Sequence, residues 1–181
     1  GGLSFYERKE VKDAIAYFRM TVNPNDDEAF RRVVNYPARG IGNTTLEKLM
    51  SVATNNEISL WETVNTFAAK ELGVSATTYG RISKFVAMIN GFAAKAGELD
   101  AYALGNEILE ESGVRTEIVT DTSDLSRKEN LDELINALYD FVAQETETNG
   151  SAENATIENY LADVALLTDA DKNDADKEKV S

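Results

Sequence analysis

The sequence predicts an all-α, mostly helical, multi-helix chain. Three observations carry this: only 2 prolines stand in 181 residues, apolar residues recur at spacings of three and four, and Ser, Asp or Asn precede several of those runs. Strand-like character is confined to the extreme ends. Gly1-Gly2-Leu3-Ser4-Phe5 reads as the inside of a strand, giving a short strand-helix edge at the N-terminus. At 43% hydrophobic the chain is able to bury a core without a disulfide or metal.

The first helix is expected from about Glu7 to Met20, with Val11, Ala14, Ile15 and Phe18 on one face and Arg8, Lys12 and Arg19 elsewhere. Asn23-Pro24 ends it. Asn25 is placed as the cap of a second helix, with Asp26, Asp27 and Glu28 in the first turn, where the helix dipole favours carboxylates. Ala29, Phe30, Val33 and Val34 form its buried stripe, and Tyr36-Pro37 closes it. After the tight turn Arg39-Gly40-Ile41-Gly42, Asn43 or Thr44 opens a third helix carrying Leu46, Leu49, Met50 and Ala53.

Ser59 and Glu62 have capping-box spacing ahead of Leu60, Trp61, Val64 and Phe67, and Gly73 ends that segment. A long helix follows from about Ser75 to Lys95 with Ile82, Phe85, Val86, Ile89 and Phe92 inward, then another from Leu99 to Ser112 before Gly113. The acidic loop 121–124 leads into a helix from about Arg127 to Glu147. Its stripe of Leu131, Leu134, Ile135, Leu138, Phe141 and Val142 marks it as a central packing element. A last helix carries Ile157, Tyr160, Leu161 and Val164, and residues 168–179 have no apolar periodicity and read as a solvated tail.

Charge restricts the function. With 18 Lys and Arg against 32 Asp and Glu, the net charge is -14, a field that repels nucleic acid and anionic membrane. The imbalance is uneven: residues 1–50 hold eight basic and seven acidic side chains, a net of +1, which leaves -15 to the rest. Any contact with DNA must therefore be local. The absence of Cys and His excludes thiolate and imidazole chemistry and most zinc or copper sites. No apolar run approaches the roughly 20 residues a membrane helix needs, so the expectation is a cytoplasmic protein without a membrane partner. Both ends read as cut, and the chain is expected to be a piece of a longer one.

One segment carries a candidate mechanism. Gly40 and Gly42 let the backbone approach a ligand closely, and the amides that follow open a helix N-terminus able to hold a phosphate. Arg39, Thr44, Thr45 and Lys48 place phosphate-binding groups beside them, a helix-hairpin-helix arrangement. The same Gly-x-Gly pattern also describes a plain structural turn in which Ile41 is a core plug. The aromatics Phe85, Phe92, Tyr102, Tyr139 and Phe141 read as core at helical spacing. Asp26-Asp27-Glu28 is explained by the helix dipole without a metal.

Residues 1–13, then Asn23-Pro24-Asn25-Asp26-Asp27-Glu28-Ala29-Phe30, Arg32-Val33-Val34-Asn35 and Pro37-Ala38-Arg39-Gly40-Ile41-Gly42, resemble in order the UvrD/PcrA/Rep-like superfamily 1 DNA helicases. Residues 126–134 are similar to a long helix of the same family. The resemblance implies residues 1–23 as the edge of motor subdomain 2A, 24–167 as a helical 2B subdomain and 168–181 as a polar acidic linker back to 2A. It implies duplex DNA at a single-strand/double-strand junction as partner, contacted through Arg39, Gly40, Ile41, Gly42, Thr44 and Lys48. The remaining motor subdomains and possible protein partners would complete the parent, which would use ATP and Mg for 3'-5' unwinding in DNA repair or replication. No Gly-rich stretch ending in Gly-Lys-Ser/Thr and no Asp-Glu pair after a strand occurs, so no ATP hydrolysis and no cofactor is expected of this chain itself. The alternative is an acidic protein-interaction or autoinhibitory module that does not touch DNA.

Overall fold

Helix signals dominate the sequence, and in the computed structural model the described residues form eleven helices and no strand. The backbone is described from Gly2 to Val180 and side chains from Gly2 to Ala170. In chain order the helices are α1 (Leu3–Tyr6), α2 (Lys9–Val22), α3 (Asp27–Val33), α4 (Asn43–Asn56), α5 (Leu60–Thr66) and α6 (Ala69–Leu72), followed by α7 (Ala76–Lys95), α8 (Ala101–Glu111), α9 (Val114–Thr120), α10 (Leu125–Asn149) and α11 (Ile157–Val180).

The N-terminal strand expectation is corrected. Leu3–Tyr6 forms a helical turn that buries Phe5 and packs on α2 and α11. A strand needs a neighbouring backbone to complete its ladder, and none lies among the described residues. The turn satisfies its own amides instead, and the Tyr6 and Tyr160 hydroxyls hydrogen-bond at 2.9 Å to fix it on α11.

The helix α10 packs on α8, α2 and α9 as expected of a central element, and it shares that role with α2. The packing hub is α2, which touches α1, α3, α7, α8, α10 and α11. Val11, Ala14, Ala16, Tyr17, Phe18 and Met20 are all buried, so apolar groups surround this helix rather than forming one stripe. Two small residues, Ala14 and Ala16, permit close approach of its neighbours. Its carboxylates are buried too: Asp13 accepts from Arg32 at 2.7 Å and Lys9 at 3.1 Å, and Glu10 accepts from Asn130 of α10. The predicted stripe of α10 does face inward, with Leu131, Leu134, Leu138 and Phe141 buried against α8, α9 and α2.

The caps fall close to where side-chain chemistry places them. Ser59 and Ser75 accept from Glu62 and Thr78 amides at the starts of α5 and α7. At α3 the cap is Asp26 rather than Asn25, accepting from the Ala29 amide. Asn25 instead accepts from the Ser59 hydroxyl at 2.7 Å, while Asp27 accepts from the Leu60 amide, so the start of α3 also fixes α5. The short α9, absent from the sequence expectation, begins at Gly113 in the left-handed region (φ 88°). The backbone of α11 continues to Val180 through the stretch read as a polar tail. That stretch is richest in Asp, a weak helix former, but it holds no Pro or Gly to stop the helix, and its Ala and Lys favour continuation. The expected solvation of its side chains from residue 171 onward lies outside the described residues.

Asp26 also receives Arg19 in an ion pair at 2.7 Å. Asp26→Ala should lower the unfolding free energy by about 1–2 kcal/mol in a urea titration, whereas Asp26→Asn, which retains the cap, should cost under about 1 kcal/mol.

Candidate nucleic-acid interface

The turn between α3 and α4 is built on Asn35. Its side-chain carbonyl oxygen accepts from the Arg39 amide at 2.7 Å and the Ile41 amide at 3.1 Å, folding residues 35–41 into a closed loop. Ile41 inserts into the core at 1% exposure, which anchors the tip from below. Gly40 adopts φ 74°, a conformation that glycine reaches without strain, and remains exposed with Gly42. The core-plug role expected of Ile41 therefore coexists with an exposed glycine pair.

Beyond the tip, α4 starts at Asn43 with Gly42 as a cap that provides no side-chain acceptor. The first amides of a helix have no intrahelical partner, so the exposed N-terminus of this 14-residue helix presents free donors at the positive end of its dipole. Thr44 and Lys48, four residues apart on one face and both exposed, extend that surface. Lys48 Nζ donates to the Gly73 carbonyl at 2.9 Å, which holds the ammonium near the end of α6. The helices flanking the turn meet indirectly: α3 packs on α2 and α5, and α4 packs on α5 and α6.

Arg39 points inward, away from this surface. Its Nη1 donates to the carbonyls of Val33 (2.8 Å) and Tyr36 (3.1 Å), and its Nη2 to the Tyr17 hydroxyl (2.5 Å) and the Ser112 carbonyl (3.0 Å). The guanidinium also lies over the rings of Tyr17 and Phe85, at 5.7 and 5.4 Å from their centroids. Val33 ends α3 and Ser112 caps α8, so one cation neutralises the carbonyl ends of two helices. Among the six residues expected to contact DNA, the structure brings Gly40, Gly42, Thr44 and Lys48 to one exposed surface and places Arg39 and Ile41 beneath it.

Sequence reading missed Arg81 and Lys84. Both are exposed on α7, and with Arg39, Phe85 and Met88 they line a shallow depression beside the turn. Arg81 Nη1 reaches the Gly40 carbonyl at 3.4 Å, and a Cβ on Gly40 would lie 2.6 Å from that nitrogen. Forty-one residues separate the two positions, and no local pattern announces such a contact.

The sequence matches the UvrD-like helicase C-terminal domain over residues 1–181. The chain belongs to that family. It is similar to the ATP-dependent DNA helicase PcrA of Bacillus subtilis (strain 168), 35% identical over 181 residues. It is also similar to PcrA of Staphylococcus aureus (strain Mu50 / ATCC 700699), 31% identical over 178 residues, and of Staphylococcus epidermidis, 33% identical over 176 residues. These alignments cover 99%, 97% and 96% of this chain. The chain spans 23% of the length of each of these relatives. Among the described residues no group of His, Cys, Asp and Glu side chains is placed to hold a metal ion, and Gly40, Gly42, Thr44 and Lys48 are exposed at the hairpin surface.

Two outcomes test the architecture beneath that surface. Arg39→Ala should destabilise the fold by about 3 kcal/mol or more in denaturant unfolding, because it strands several acceptors, and Arg39→Lys should not restore it, since a point charge cannot span both helix ends. The Tyr17 hydroxyl is pushed up to about 12 by burial, opposed by the Arg39 guanidinium. An unfolded tyrosine ionises near 10, so the stability that neutral Tyr17 provides is complete below about pH 10 and is lost as pH rises from there towards about 12. Burial also raises Tyr160. Alkaline unfolding monitored by circular dichroism should therefore be reduced, though not abolished, by Tyr17→Phe.

Proposed function

We propose that this chain is the 2B-type helical subdomain of an ATP-dependent 3'-5' DNA helicase, and that its hairpin grips the backbone of duplex DNA at a single-strand/double-strand junction. The observation that carries the proposal is the uncapped, exposed N-terminus of α4, presented by the Gly40 to Gly42 turn with Thr44 and Lys48 on one face. Backbone amides and a hydroxyl aimed at phosphate oxygens give positioning without sequence preference. The names of the similar ATP-dependent DNA helicases support ATP for the parent; Mg, and work in DNA repair or replication in the cytoplasm, belong to the proposal.

Within this proposal residues 1–23 form the 2A edge, 24–167 the 2B body and 168–181 the return linker. The remaining motor subdomains are then partners of the body, and rotation of that body on its two connections regulates unwinding. Arg39 acts in positioning: it sets the turn from below, while Gly40, Gly42, Thr44 and Lys48 form the contact surface. Ile41 is the plug that holds the turn in place.

The decisive experiment separates binding from stability. Thr44→Glu places a carboxylate in the first turn of α4, where the dipole favours it, but opposes a phosphate at the same point. Asn43→Pro removes one amide donor at the first helical position, where proline is tolerated. Both variants should retain the thermal stability of the 181-residue chain and weaken binding of a fluorescently labelled duplex at low salt, as read by anisotropy. Unchanged affinity in both would refute the hairpin contact. Capture of a basic protein partner without any duplex binding would instead support the acidic interaction module.

A further inference from the structure

The acidic surplus makes unpaired cations informative. Where carboxylates outnumber basic groups, a surface lysine or arginine finds an acidic neighbour readily, and most described ones do. Arg8, Lys9, Lys12, Arg19 and Arg32 have carboxylate partners, as do Lys95, Arg115, Arg127 and Lys128. Between residues 39 and 84 the pattern reverses. Arg39, Lys48, Lys70, Arg81 and Lys84 are the basic residues of that stretch, and among the described residues none of them forms an ion pair with a carboxylate. Arg39 is consumed by backbone carbonyls and Lys48 is held at Gly73.

Of the remaining three, Lys70 lies on α6, and Arg81 and Lys84 are the pair that lines the depression beside the turn with Arg39. They stand three residues apart, on one face of α7. The only hydrogen bond that Arg81 makes among the described residues is the long one to the Gly40 carbonyl, so most of its five donors face solvent. Its guanidinium nonetheless lies against the turn, in space that a Cβ on Gly40 would meet. Phe85 and Met88 floor the depression between Arg81, Lys84 and the turn, lowering the local dielectric beneath the two charges. Gly40 precedes the cap of α4 by two residues, at most about 7 Å of chain. A phosphate held by the α4 amides therefore has neighbours on its own strand within reach of α7.

We propose that Arg81 and Lys84 of α7 form a second phosphate-binding arm, so that duplex DNA is gripped between α7 and the α4 N-terminus rather than at the hairpin alone. Arg81 supplies a planar fork suited to two phosphate oxygens, and Lys84 a mobile point charge. The arm also explains how a chain of net charge -14 holds a polyanion: two unneutralised cations are added to a helix end at the point of contact. This inference rests on the reading of the hairpin as a duplex contact.

The test is a salt titration of the 181-residue chain with a fluorescently labelled duplex, read by anisotropy. Loss of two phosphate contacts in Arg81→Ala/Lys84→Ala should make the slope of log affinity against log salt shallower by roughly 1.8, at about 0.9 per contact, with the same loss on duplexes of different sequence. Arg81→Gln/Lys84→Gln, which keeps the aliphatic stems over Phe85 and Met88, should show the same shift and guards against a folding defect. Arg115→Ala/Lys128→Ala makes the same change of net charge at two cations already paired with Glu110 and Asp132 and should leave the slope unchanged. An unaltered slope in both α7 variants, with binding still weakened by Thr44→Glu, would overturn the second arm and leave the hairpin reading intact. An equal shift in the Arg115/Lys128 control would also overturn it, by assigning the effect to net charge. Absence of duplex binding by the unaltered chain at low salt would remove both readings.

Discussion

The guanidinium of Arg39 is the interaction on which the site depends. A helix ends with carbonyls that its own amides cannot reach, and α3 and α8 both end in the interior of this fold. Arg39 satisfies the two ends at once through Val33, Tyr36 and Ser112, and it completes its coordination with the Tyr17 hydroxyl. Tyr17 in turn donates to the Tyr36 carbonyl, so the hub helix α2 is bonded to the same point. The exposed turn is thus the outer layer of a junction among α2, α3 and α8. Substituting any one of these groups leaves others buried without partners, which is why a residue that makes no surface contact governs the surface.

Charge is sorted in the same way. The carboxylates on α2 are buried and paired, Asp13 with Arg32 and Lys9, Glu10 with Asn130, so the hub contributes specific cross-links rather than free charge. Arg127 links the start of α10 to the turn by bonding both Asp121 and the Tyr36 hydroxyl. The bonds of Glu10 with Asn130 and of Tyr36 with Arg127 cross from the first third of the chain to the last, and the ion pairs engage Lys9, Arg32 and Arg127. Around residues 39–84 carboxylates are not placed against the cations, although Glu47, Glu57, Glu62 and Glu71 lie in the same stretch. An acidic chain therefore leaves the cations of this stretch without carboxylate partners through arrangement and not through composition.

Much of this was legible in the sequence, and the divide follows the range of the interactions involved. Ser59, Ser75 and the buried stripes of α7 and α10 depend on neighbours within one or two helical turns, and periodicity with cap chemistry located them. Ile41 as a core plug followed from an apolar residue between two glycines. Asn25 and Asp26 are both competent caps, and the choice between them is made by Ser59, thirty-four residues away. The hub role of α2 was hidden because Glu10 and Asp13 interrupt its apolar pattern, and only their distant partners permit their burial. Arg39 was read as a surface ligand because the local sequence cannot show the end of α8 arriving at its guanidinium. Arg81 belongs to the same class, since its significance arises from a glycine forty-one residues earlier.

The junction has a mechanical consequence for the proposed rotation. A subdomain that swings on its connections transmits force only if its contact surface is rigidly joined to its hub. The hairpin could have been a loop tethered by backbone alone, and a load on bound duplex would then have been absorbed by the turn. Instead Asn35 closes the loop, Ile41 plugs it, and Arg39 bonds it to the ends of two helices and to α2. A displacement at α4 must move α3, α8 and α2 together or break several buried hydrogen bonds at once, each costly to leave unmade. α2 begins at Lys9, and Arg8, just before it, is bonded to Asn130 and Glu133 of α10. The proposed 2A edge and the proposed duplex surface thus lie at two ends of one bonded path, which favours movement of the body as a unit over deformation of the hairpin.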